Sequence, residues 1–149
     1  MSSSAVTLEQ EMVDRTLIIR KMALISEDLE AVQPLAELSL QKYKSDRINQ
    51  VIAERYLERM IGRMIDINYH ILTEEGKPPP RDYFQSFMDL AETGILPRDF
   101  AEKIAPCAGL RNRIVHEYDA IDADKVYEGI KTAAGDIPHY LNYINNHIR

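Results

Sequence analysis

The stretch RINQVIAERYLERMIGRMIDINYHIL, residues 47–72, decides the fold class. Ala53, Leu57, Met60, Ile61, Met64, Asn68 and Ile71 recur at steps of mostly three and four, which places an almost wholly apolar stripe on one face of a long helix. The opposite side carries Arg55, Arg59, Arg63, Asp66 and His70 at the same spacing. Two readings of that polar row stay open. It is either a solvated face laced by its own ion pairs, or a wall of a phosphate groove, since guanidinium forks match phosphate oxygens. Ser45 or Asp46 suits the N-cap of this helix.

Upstream, residues 7–32 repeat the pattern, with Ile18, Met22, Ile25, Leu29 and Val32 in one stripe. Pro34 should kink or interrupt that helix, because proline lacks the N–H and crowds the preceding turn; residues 35–43 are expected to continue beyond it. Downstream, the three prolines within residues 73–80 force an extended connector. A short helix over residues 82–92 stops near Gly94, and Pro97 opens the next, which is unsettled around Pro106 and Gly109. Asp122 caps a last helix carrying Val126, Ile130, Ala133, Ile137, Tyr140, Ile144 and Ile148, with Pro138 expected to bend it. No segment alternates with period two. The expectation is an all-α chain, a four-helix up-and-down bundle with one additional short helix, formed by residues 1–149 as one domain.

Composition narrows the function. With 149 residues, 45% hydrophobic and 28% charged, the chain has enough apolar side chain for a core and does not read as disordered. Neither a signal peptide nor a membrane-length apolar run is legible, so the expected location is cytoplasmic, with no membrane partner. Cys107 stands alone, which excludes an internal disulfide or a thiolate metal cluster, and is read as a helix-packing residue. A net charge of −6 argues against coating nucleic acid by bulk electrostatics. Any work on phosphate falls to a local basic patch, which dimerisation would double.

One such patch is dense. Arg111-Asn112-Arg113-Ile114-Val115-His116-Glu117-Tyr118 gathers two guanidiniums, an amide, an imidazole and a phenol. The arginine-to-histidine spacing is weak alone, since the chain holds eleven arginines and four histidines, and Arg63 with His70 makes a similar pair. Context separates the two: Asn112 follows Arg111, and Tyr118 lies two residues beyond His116. On an unbroken helix Asn112 and His116 share a face, whereas Arg111 and His116 point about 140° apart. A functional reading therefore requires helical geometry to end near residues 116–119. No Glu-x-x-His pair, Gly-rich phosphate loop, His-Glu-x-x-His or Ser-centred elbow occurs, so neither metal nor cofactor is expected for the chemistry.

The motif resembles the Arg-polar-x-x-x-His signature of HEPN-domain ribonucleases, and with His-x-Tyr it resembles the HepT-like toxins of HepT/MntA toxin–antitoxin systems. The likeness also covers residues 53–58, 65–71, 91–96 and 118–122, within a span of about residues 10–145. Pro106 and Gly109 depart from it. The resemblance implies a metal-independent endoribonuclease that cuts RNA at a composite homodimer site. It implies Arg111, Asn112 and His116 as catalytic residues and a 2′,3′-cyclic phosphate product. It further implies a nucleotidyltransferase antitoxin of the MNT type that attaches AMP to Tyr118. Arg113, Arg59, Arg63 and His70 are the further candidates for holding RNA phosphates. The alternative is a non-catalytic HEPN-like module that docks a nucleotidyltransferase or nucleic acid.

Overall fold

The computed structural model describes residues 2–117 and 120–149, and of the side chains before Asp14 only that of Leu8. Seven helices and no strand occur among the described residues: α1 (Ser2–Ala36), α2 (Leu40–Ser45), α3 (Arg47–Glu74), α4 (Tyr83–Glu92), α5 (Arg98–Ile104), α6 (Cys107–His116) and α7 (Ala123–Ile148). The expected bundle is present. Its rods are α1, α3, the α5–α6 pair and α7, with α4 as the short addition and α2 as one further turn.

Helix α3 is the axle. It packs against α1, α4, α6 and α7, and the stripe read from the sequence is its buried side. Asp46, not Ser45, caps it, accepting from the Ile48 N–H at 2.9 Å; the Ser45 hydroxyl instead donates back to the Lys42 carbonyl and closes α2. Asp82 caps α4 and Asp122 caps α7 in the same way. Gly94, at φ +80°, takes the left-handed conformation that ends α4.

Two of the prolines lie inside helices that continue past them. Pro34 does not interrupt α1, which runs on to Ala36, and the chain then breaks before α2 starts at Leu40. Pro138 lies inside an uninterrupted α7, where buried Ala133, Ile137, Tyr140 and Ile144 hold both sides of it to the core. At Pro106 the chain does break, separating α5 from α6.

One buried polar chain pins the axle. Asn68 is fully enclosed, donates to the Ser86 hydroxyl at 3.0 Å and accepts from the Tyr140 hydroxyl at 2.6 Å. Tyr140 also reaches the Met64 carbonyl at 3.0 Å, and burial raises its phenol well above the usual range, so it stays a donor. Replacing Tyr140 with Phe orphans the Asn68 oxygen. The expected loss is about 1–3 kcal/mol, read as a lower urea midpoint at unchanged slope.

Candidate active site around the α6 helix

The break at Pro106 sets the direction of α6. Ala108 and Gly109 donate to the Ala105 and Pro106 carbonyls three residues back, each at 3.1 Å, so the first turn is tight. Ala108, Leu110 and Ile114 then face the core, which turns Asn112, Arg113 and His116 outward and leaves Arg111 half-buried. Helical geometry ends where a functional reading requires: the last helical residue is His116, and the Glu117 N–H closes the helix on the Arg113 carbonyl at 2.8 Å. Tyr118 lies outside the described residues.

Within one chain α6 is continuous from Cys107 to His116, so Arg111 and His116 emerge on different sides. Asn112 and His116 share an exposed face. Arg111 leans the other way, over the Tyr83 ring with its guanidinium carbon 5.5 Å from the centroid. It lines a pocket of about 310 Å³ with Gly62, Ile65, Asp66, Tyr69 and Tyr83. Its Nε is shielded from solvent and has no hydrogen-bond partner. A shielded donor left without a partner costs about 1–3 kcal/mol, which an anion's oxygen would recover. Tyr83 and Gly62 were not singled out by the sequence reading. A Cβ on Gly62 would sit 3.5 Å from that Nε, and a glycine inside a helix is the one signal pointing to such an approach.

The remaining candidates sit elsewhere. Arg113 is exposed and borders an apolar cleft of about 300 Å³ between α3, α5–α6 and α7, near Lys103 and Lys125. Cys107 lines the same cleft, and burial with the nearby Asp136 pushes its thiol up to about 12, so it has no thiolate to offer. Most of the polar row of α3 is neither free in solvent nor gathered around Arg111, although Asp66 lines the Arg111 pocket. Much of it meets α1: Arg63 and Arg59 reach the Asp28 carboxylate at 2.7 and 3.3 Å, Asp66 pairs with Lys21 at 3.4 Å, and His70 Nε2 lies 3.1 Å from Asp14. Arg55, paired with Glu58 at 3.4 Å, and Asp66 stay exposed. Arg59, Arg63 and His70 are thus not gathered with Arg111 and His116.

A family model described as ribonuclease HepT-like matches residues 7–144. The chain is 35% identical over 136 residues to the tRNA nuclease HepT of Aphanizomenon flos-aquae, covering 91% of this chain and 92% of that protein. It is 26% identical over 128 residues to the mRNA nuclease HepT of Shewanella oneidensis, covering 86% and 96%. Among solved structures, the tri-AMPylated HEPN toxin of Shewanella oneidensis in complex with MNT antitoxin superposes with a TM-score of 0.78. That match has 25% sequence identity and covers 87% of this chain and 97% of the other.

The role of the α3 row is open to measurement. Asp28→Ala leaves two guanidiniums of α3 without their carboxylate, and is expected to cost about 1–3 kcal/mol. Arg59 and Arg63 keep some solvent access, so the loss falls below that of a sealed pair. Chemical denaturation of the variant beside the parent checks it.

Proposed function

The chain belongs to the HepT-like ribonuclease family, and we propose that it is the toxin of a toxin–antitoxin pair that cuts RNA at a site shared by two copies of the chain. His116 takes the proton of a ribose 2′-hydroxyl, or gives one to the departing 5′-oxygen, since an imidazole exchanges protons near neutral pH. The 2′-oxygen attacks phosphorus, the bond to the 5′-oxygen breaks, and the products are a 2′,3′-cyclic phosphate and a 5′-hydroxyl. Arg111 carries the charge that builds on the non-bridging oxygens. Asn112, one turn before His116, orients the imidazole or the phosphate. No step calls for a metal ion. The site acts on RNA in the cytoplasm.

The observation that carries this reading is the half-buried Arg111, stacked on Tyr83, with a shielded donor unspent. A second copy is supported by two features. The angular separation of Arg111 and His116 makes one α6 insufficient, whereas paired helices can set one protomer's imidazole against its partner's guanidinium. In addition, Ile48, Val51 and Ile52 stand exposed along α3, at 68, 54 and 39%, a strip at helical spacing with no cover. Val51 shares a pocket with Ile114 and Ile121, so the strip adjoins α6. Arg47, Arg55, Glu54 and Glu58 border the same pocket, giving both signs of charge, as a face that meets its own copy about a twofold axis requires.

Inhibition is proposed at Tyr118. The Shewanella oneidensis relative is AMPylated and bound to an MNT antitoxin. A nucleotidyltransferase that attaches AMP to Tyr118 would set a phosphodiester anion two residues beyond His116, where it competes with RNA for Arg111.

Two outcomes are expected. In chelator, the protein cleaves RNA to cyclic-phosphate ends, and His116→Ala lowers the rate about 100-fold or more; equal silence from both returns the chain to the non-catalytic binding module. Val51→Asp leaves the fold intact, since the side chain is exposed, but shifts the protein to monomers by sedimentation velocity and takes cleavage with it. Monomers that still cut would overturn the shared site.

A further inference from the structure

Near the C-terminal end of α3, three potential ligands meet. His70 and Glu74 stand four residues apart on α3, one above the other on the face turned to α1, and Asp14 of α1 completes the group. One donor atom from each lies within 4.8 Å of the other two. His70 Nε2 is 3.1 Å from Asp14 Oδ1 and 3.4 Å from Glu74 Oε1, yet it hydrogen-bonds to neither and is shielded from solvent. The imidazole nitrogen points between two carboxylates rather than at one.

Those two separations are what a metal ion produces. Ligands about 2.0–2.1 Å from one centre, at angles of roughly 100–110°, stand about 3.1–3.4 Å apart. The geometry points to a divalent transition-metal site, with zinc as the fitting ion, held by Asp14, His70 and Glu74 and completed by water. Two carboxylate oxygens and one imidazole nitrogen suit such an ion, whereas the imidazole makes calcium or magnesium a poor match. The third pair, Asp14 with Glu74, needs only a side-chain adjustment to close on the centre, and Glu74 retains solvent access for it.

A metal would tie α1, at Asp14, to the last turns of α3, beside the ion pairs of His70. The site is structural. None of the three ligands lines the Arg111 pocket, whose α3 residues Gly62, Ile65, Asp66 and Tyr69 precede His70. None has a part in the proposed cleavage step, so failure of the metal site would leave the ribonuclease reading untouched.

The test is a titration of chelator-stripped protein with zinc chloride against a chromogenic competitor, with thermal unfolding followed in parallel. The wild type should bind one zinc per chain and gain about 5 °C or more in Tm at a hundredfold excess over Kd. Asp14→Asn and His70→Gln, each shown to be folded by circular dichroism, should both lose that equivalent and that gain. Asp14→Asn should still cut RNA in chelator at the parental rate. No zinc bound by the wild type, or one equivalent retained in both variants, would overturn the proposal. So would a gain in Tm on acidification alone that zinc does not add to, which is the mark of a plain ion pair.

Discussion

The carboxylate of Asp28 governs which side of α3 faces which neighbour. It is almost fully enclosed, accepts a hydrogen bond from Arg63 and pairs with Arg59, the two arginines lying one turn apart. Two guanidiniums on one acid hold that side of the axle to α1. The apolar stripe then turns to α7 and α6, and Gly62 comes to lie beside Arg111. Much of the sequence's cationic wealth is thus committed to internal pairing before any ligand arrives.

This commitment was the part of the sequence hardest to read. The apolar stripe of α3 is legible because burial and helical period leave one solution for seven side chains. The polar row has no such uniqueness, since a solvated face, a phosphate wall and an interhelical seam all repeat every three or four residues. What decides among them is Asp28, which stands 31 and 35 residues from its two partners and looks from sequence like any other surface acid. The prolines illustrate a related limit. Local chemistry marks Pro34 as a kink or break and Pro138 as a bend, but not how far each helix carries on past them, which for Pro138 is set by core residues packed on either side.

The candidate site was legible along the chain and not across it. Arg111, Asn112 and His116 announce themselves by spacing, and the end of α6 at His116 follows from what that spacing needs. Tyr83 does not: it comes from a different helix 28 residues earlier, and only the fold lays its ring under the Arg111 guanidinium. Arg113 looks as good as Arg111 in the sequence, yet it sits at the rim of another cleft, because two residues along a helix is more than half a turn.

The acidic balance of the chain, with its net charge of −6, then acquires a use. A polyanion gains little from the general field of such a molecule, so its affinity rests on local cations. Arg59, Arg63 and Lys21 are spent on α1–α3 pairs, Lys44 is spent on Asp124 and Lys103 on Asp136. Arg111 keeps a shielded donor free of any protein partner. A strongly basic ribonuclease would retain RNA around a blocked site, whereas this one has no surplus attraction to overcome. The same economy that limits its hold on RNA is what the proposed modification of Tyr118 would exploit, since a covalently placed phosphate then competes with local attraction alone.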